Sequence, residues 1–261
     1  MNMFASAFSP NKAVSKPTIQ IITSIWLVSL IIAWSLNPFP IVPKPWEVVY
    51  ALGDVWAQGL AKELYVSFMT NLQAIILTTI ISVGLSYLTV LPAVRPLVEI
   101  ISKARFLGLV GITFLFTITI GSGHALKVAL LTLGMTVFFL TSMAKEVASI
   151  PKDKLDHART LRMSEWRVVW EVVVLGTADK AIEVMRQNAA MGWMMLTMVE
   201  GLVRSEGGIG TMLLNQNKHF ALAAVFAIQI LILVVGILQD YFIGVVRSIA
   251  CPYADLKLER K

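Results

Sequence analysis

Cysteine is almost absent from this chain. The single thiol, Cys251, excludes an intrachain disulfide framework. The histidines His124, His157 and His219 are scattered, and beside one cysteine they make no obvious metal site. Charge is scarce as well: Asp, Glu, Lys and Arg form 15% of the residues, against about 25% in soluble domains. No G-x-x-x-x-G-K-[ST] run is present, so the chain lacks that loop for cradling nucleotide phosphates. No Ser/His/Asp set or pair of carboxylates stands out either. These shortages argue against a soluble enzyme, a disordered chain and a nucleic-acid-binding domain.

What the chain has is apolar surface. Hydrophobic residues are 57% of its 261 positions, and mean hydropathy is +0.74. A helix needs roughly 20 apolar residues to cross about 30 Å of hydrocarbon. Stretches free of Asp, Glu, Lys and Arg cover 19–36, 64–94, 106–126, 128–144, 187–199 and 220–239. They predict an all-α integral membrane protein with spans near 19–36, 66–90, 106–123, 126–144, 180–200 and 220–246. Short tails at 1–18 and 247–261 flank them. The first stretch follows Lys12 and Lys16, as a signal peptide would, and ends at the run from Asn37 to Pro40. It is longer than a usual apolar signal core and no A-x-A-like site follows, so an uncleaved anchor is expected. Gly108, Gly111, Gly121 and Gly123 punctuate the third stretch, which predicts a broken or tilted helix.

The fifth stretch has only 13 residues, about 20 Å of helix. It must borrow from a segment holding Asp179, Lys180, Glu183 and Arg186, where Glu183 and Arg186 are spaced to pair on one face. Two readings stand: a helix that begins in the cytoplasm and enters the bilayer, or one bordering a water-filled path.

Six spans put both termini on one side. With the termini, the 91–105 loop and 145–186 in the cytoplasm, that side holds 17 of the 22 Lys and Arg residues. The positive-inside rule favours this orientation in a cell inner membrane. The net charge of +6 then reflects topology rather than affinity for nucleic acid.

The longest polar stretch, 145–186, lies between the fourth and fifth spans. Pro151 suits the first turn of a helix, and Leu155, Ala158, Thr160 and Leu161 form a partly apolar face. Ser164 is placed to cap a second helix, with Trp166, Val169, Trp170 and Val173 on one face. Two such helices can lie on the bilayer surface or dock into a groove on a partner protein.

The run I-P-K-D-K-L-D-H-A-R-T-L-R-M-S-E-W-R-V-V-W-E-V-V-V-L resembles the EAA motif of membrane subunits from binding-protein-dependent ABC importers. More narrowly, it resembles the nitrate/sulfonate/taurine group. Pro151, Leu155, Ala158, Arg159, Thr160, Leu161, Ser164 and Trp166 match that group's pattern. Pro43-Lys44-Pro45-Trp46-Glu47-Val48 is similar to its P-S-P-x-x-V element. Glu200-Gly201-Leu202 with Gly207-Gly208-Ile209-Gly210 is similar to its E-x-L-G…G-L-G element. The likeness spans about 38–247.

The resemblance implies a six-span type I importer permease. Its 145–178 region would couple, through coupling helices in 151–171, to a separate cytoplasmic ATPase subunit. Asp156, Ala158, Arg159, Thr160, Leu161, Arg162 and Ser164 are the expected coupling positions. A second permease subunit, the same or different, and an extracytoplasmic solute-binding protein are the other expected partners. The chain itself would bind no cofactor, and ATP would bind to the partner. The cargo implied is a small solute, with nitrate, a sulfonate or taurine as the group's examples. Three departures make the motif degenerate. Arg162 stands at the family's glycine, His157 at its first alanine, and Gly176-Thr177 follow Leu175 where a proline is expected. Arginine at that place predicts a different turn or a groove that accepts a cation. The alternative reading is a permease-derived membrane anchor or scaffold with altered or no transport.

Met191, Met194, Met195 and Met198 form one helical stripe. Such a stripe either packs between helices or lines a translocation path. Glu200, at the outer end of the fifth span, reads as an interfacial residue or as part of a gate with Arg204. The glycines at 207, 208 and 210 read as a turn or re-entrant element where the binding protein docks.

Overall fold

The structure, a computed structural model, describes residues 15–39 and 41–252. Most of both predicted tails lies outside the described residues, as does Pro40. Within them the chain is helical throughout, with no strand.

The first helix, α1 (Lys16–Ser35), starts with Pro17 in its first turn, and the Ser15 and Thr18 hydroxyls meet at 2.7 Å. Its apolar side chains face outward along nearly its whole length, as suits a helix solvated by lipid rather than by protein. Trp34 anchors its far end, donating from Nε1 to the Pro43 carbonyl at 2.9 Å and stacking on Phe226. A short helix not foreseen from the sequence follows, α2 (Pro45–Ala57). Pro45 opens it, and the Lys44 amide donates to the Glu47 carboxylate at 2.9 Å, which satisfies one of the first-turn donors.

The longest contact in the fold runs between α3 (Leu60–Leu88) and α6 (His124–Ala148). Ser67, Thr70, Asn71, Ala74, Thr78, Ser82 and Ser86 are buried at helical spacing on α3. Small side chains let the two backbones approach closely. The Thr78 and Ser82 hydroxyls reach across to the Thr132 and Thr136 carbonyls at 3.4 Å each.

The third apolar stretch forms only one short helix, α5 (Leu109–Ile120). Before it, the 91–105 segment expected as a loop forms α4 (Arg95–Lys103) and a 3-10 turn at Ala104–Phe106. The two arms meet at 112°. The 12 residues of α5 reach only about 18 Å, short of a full crossing. Gly121, with φ of +93°, ends α5 in a conformation that a side chain would strain.

The chain then forms α7 (Lys152–Thr160), α8 (Glu165–Val168), α9 (Ala178–Leu202), α10 (Ile209–Lys218) and α11 (Leu222–Ala250). Leu130, Leu131, Met135, Trp193, Leu196 and Ile228 form the centre of a core between α3, α6, α9 and α11. Among the described residues, four helices are long and apolar enough to cross a membrane, at Pro17–Ser35, Leu60–Leu88, His124–Ala148 and Leu222–Ala250. The bent α4–α5 pair makes up to five. That is fewer than the six spans expected. α9 is long enough, but it takes in the charges at Asp179, Lys180, Glu183 and Arg186.

Candidate functional site

The polar 145–178 region folds as two short helices at one end of the molecule. Pro151 sits just before α7, as its N-cap residue, rather than inside its first turn. The carboxy end of α7 closes in a Schellman turn. The Arg162 amide donates to the Arg159 carbonyl at 2.9 Å, and the Met163 amide to the Ala158 carbonyl at 3.4 Å. This turn needs a left-handed residue after the cap, ordinarily glycine. Arg162 takes the conformation, with φ of +56°. Arginine here carries the strain that glycine would avoid.

Arg159 ties the two helices together. Its Nη1 donates to Asp156 at 2.9 Å, and its Nε and Nη2 donate to both Glu165 oxygens at 2.9 and 3.1 Å. This fork-to-carboxylate geometry fixes direction as well as distance. The Arg159 hydrogen bonds hold the Glu165 carboxyl below the usual carboxylate range. Glu165 and then Asp156 raise the Arg159 guanidinium above its ordinary value. Asp156 and Arg159 thus serve as a clamp, and Thr160 turns its hydroxyl back to the His157 carbonyl at 2.7 Å.

Ala158 is buried beneath the turn, whereas Leu161, Trp166 and Trp170 are 60%, 69% and 59% exposed. Ser164 occupies the cap position of α8, but its hydroxyl makes no cap bond there. The expected single face through Trp166, Val169, Trp170 and Val173 is also split. Between Val169 and Val174 the helix widens into a π turn, which rotates the following side chains. Val168 and Val173 go inward while both tryptophans stay outside. Tyr87, at the end of α3, donates to the Val174 carbonyl at 3.3 Å and accepts from Thr177 at 3.3 Å. Thr177, in the stretch where the family has its closing proline, so joins the segment to the membrane helices.

The methionine stripe on α9 is divided. Met194 is 71% exposed, Met198 is exposed, and Met191 and Met195 are half-buried. Met194, Met195 and Met198 line an open cavity of about 320 Å³ with Leu109, Gly134 and Val137. Met194 also borders a second cavity of about 490 Å³, between α9 and α11, with Trp193, Thr197, Gln229 and Asp240. Met191 lies outside both. Below them Arg186 pairs with both Asp240 oxygens at 2.7 and 2.9 Å and with Glu183 at 3.6 Å. Glu183 also meets Arg247 at 3.4 Å. The expected Glu183–Arg186 pair is present as part of a network joining α9 to α11.

Glu200 is neither interfacial nor paired with Arg204, whose Nε donates to the Gly201 carbonyl at 3.2 Å. The Glu200 carboxylate is fully buried and accepts from the Ser67 hydroxyl at 2.7 Å and the Gly210 amide at 2.8 Å. Ser67 in turn accepts from the Ile209 amide at 2.7 Å. Glu63 accepts from the Gly208 amide, and the buried Lys127 donates to the Gly207 carbonyl at 2.6 Å. Gly208 has φ of +106°, and a Cβ there would run into the Glu200 carboxylate. Residues from α3, α6 and α9 thus clasp the glycine turn that starts α10. Glu63, Ser67 and Lys127 were not singled out from the sequence. Their only signal was position, Glu63 and Lys127 being charges that border long apolar stretches.

No family model matches the chain, and no curated protein does. Among solved structures it is similar to a chain of the MetNI methionine ABC transporter in inward facing conformations. The TM-score is 0.53 at 15% identity, over 76% of this chain and 96% of that one. At this identity the likeness speaks for the fold alone: an all-helical fold with several membrane-length apolar helices, shared with that chain.

Proposed function

We propose that the chain is the membrane subunit of an ATP-driven importer. In this reading its 151–171 segment docks on a separate ATPase subunit, and its α9 face borders the path of a small solute. The observation that carries it is the geometry of α7 and α8. Two short helices are locked to each other by Arg159, and they present Leu161, Trp166 and Trp170 outward from a charged rim. An apolar anchor within a polar rim is the form of a helix-in-groove contact. The linkage of this segment to α3 through Tyr87 gives movement of the docked helices a route into the membrane. The left-handed turn held at Arg162 weighs against the scaffold alternative, since a segment with nothing to dock on has no need of a strained turn.

The chain performs no ATP hydrolysis in this reading. It works as a dimer, with its termini and coupling segment in the cytoplasm and an extracytoplasmic binding protein delivering solute. A small anion, as in the nitrate/sulfonate/taurine group, is the proposed cargo. The coupling contacts proposed are Leu161, Arg162 and Ser164, with Ala158 packed beneath them and Asp156, Arg159 and Thr160 shaping the surface. Met194, Met195 and Met198 are proposed to line the path.

The test is purification with the soluble ATPase subunit and an ATPase assay in liposomes. Leu161→Asp is expected to weaken the complex by roughly 2 kcal/mol, the scale of an interface hot spot, and to remove solute-stimulated hydrolysis while the protein stays folded. An unchanged complex with unchanged stimulation would overturn the docking assignment.

A further inference from the structure

Among the described residues the apolar exposed face of α4 has no partner, and it lies beside a row of cations. Successive residues of this helix divide among three directions. Val98 is buried and Ile101 half-buried against the rest of the molecule, where α4 packs on α6. Leu97 and Ile100 are exposed on a second face, Ile100 by 67%, and Phe106 and Leu107 extend that exposed apolar surface past the 3-10 turn. Arg95, Glu99 and Lys103 occupy the third, spaced at four, and Arg105 follows with its guanidinium over the Phe106 ring at 5.1 Å. Three cations therefore stand against one carboxylate on a segment of 12 residues.

The start of α4 is fixed within the molecule. It is tied to the end of α3, where Arg95 Nε donates to the Thr89 carbonyl at 2.9 Å. Tyr87, two residues earlier, bonds the 151–177 segment. The helix thus begins at the level of the cytoplasmic docking helices. A 112° bend separates it from α5, and both arms pack against the membrane-length helix α6. Its 9 residues give about 14 Å, too short to cross. One face on protein, one apolar face outward and one cationic face is the pattern of a helix lying in the bilayer surface, with basic stems reaching to headgroups.

We propose that α4 with its 3-10 extension is an interfacial helix that seats on the anionic phospholipid headgroups of the leaflet facing the docking segment. This rests on the reading of the chain as membrane-spanning, not on transport. Leu97, Ile100 and Phe106 enter the acyl boundary, and Lys103 and Arg105 meet phosphates. The seat holds the α4–α5 bend in place. Each cation near an anionic surface is worth about a fivefold shift in the seated population.

The test uses the full chain with Cys251→Ser, carrying one fluorophore at Ile100→Cys, at Glu99→Cys or at Leu233→Cys. Each is reconstituted in nanodiscs of phosphatidylcholine with and without phosphatidylglycerol. The probe at position 100 is expected to be shielded from aqueous iodide and quenched by headgroup-labelled lipid, more so with phosphatidylglycerol, while the probe at position 99 stays open to iodide. Lys103→Gln with Arg105→Gln is expected to remove most of the phosphatidylglycerol dependence, and Glu99→Gln to increase it. The position 233 probe, in the exposed face of α11, reports insertion independently and is expected to be quenched by chain-labelled lipid throughout. Equal iodide access at positions 99 and 100, or shielding indifferent to phosphatidylglycerol, would overturn the proposal when position 233 is inserted. Shielding that arises only on adding the ATPase subunit would reassign the face to protein and overturn it too.

Discussion

The two ends of the molecule use charge in opposite ways. At the end that carries the glycine turn, Glu200 and Lys127 are buried, and their partners are a backbone amide, a carbonyl and a serine. At the other end, Arg159, Asp156 and Glu165 are solvent-exposed and bind one another. A buried charge is costly unless its hydrogen bonds are complete, and losing one partner leaves the other stranded. An exposed pair is screened, and its loss costs little. The first arrangement fixes a piece of backbone in one place. The second shapes a surface while leaving it open to a partner. The fold is thus rigid where the glycine turn meets three helices and presentable where α7 and α8 project.

This contrast is open to direct attack. The largest effect is expected from Glu200→Leu, which strands the Ser67 hydroxyl and the Gly210 amide inside the protein. We expect a loss of about 3–5 kcal/mol, read as a lower unfolding temperature of the detergent-solubilised protein and earlier proteolysis around 203–210. A loss under about 1 kcal/mol would mean that the clasp is not the rigid element described. Next is Arg162→Gly, expected to stabilise the docking turn by about 1 kcal/mol through relief of the left-handed backbone, measured as slower amide exchange across 158–164. Acid comes third. Glu165 has its pKa depressed by Arg159, so its contribution is present above the ordinary carboxylate range and fades as pH falls through its lowered value. Amide exchange at 160–166 is expected to quicken at that acid end and to be flat through neutrality, and Glu165→Gln to flatten the acid end as well. The smallest effect belongs to Ser164→Ala. A working cap costs about 1 kcal/mol to remove, but this hydroxyl makes no cap bond, so a change below about 0.3 kcal/mol is expected.

Sequence pattern carried the all-helical class and the long apolar helices, because hydropathy and length are local properties. It also marked out the polar 145–178 segment, since its polarity interrupts an apolar chain. The 91–105 segment read as a loop because it carries Arg95, Glu99, Lys103 and Arg105, and the 112° bend between α4 and α5 depends on where α4 packs. Helix α2 was missed because its 13 residues mix exposed aromatics with buried valines and fit no simple apolar run. The split face of α8 followed from a π turn, and a 3.6-residue period has no means of announcing one. Glu200 was noticed as an edge charge. Its burial could not be read, because Ser67 lies far from it in sequence and only tertiary packing joins them.

The clasp also bears on the order in which this chain can be assembled. Lys127 emerges from the ribosome well before the Gly207 carbonyl it binds, and Glu63 and Ser67 precede the amides of Gly208 and Ile209 by a still longer stretch. Until that carboxy-terminal portion arrives, α3 and α6 carry polar groups whose final partners do not yet exist, in a setting where unpaired polar groups are penalised. Those early helices must therefore keep their charged ends in water or headgroups during synthesis. Closure of the glycine turn is then a late event that completes the packing of three helices at once, and a chain truncated before residue 207 would be left with an open, unsatisfied end for quality-control proteases to find.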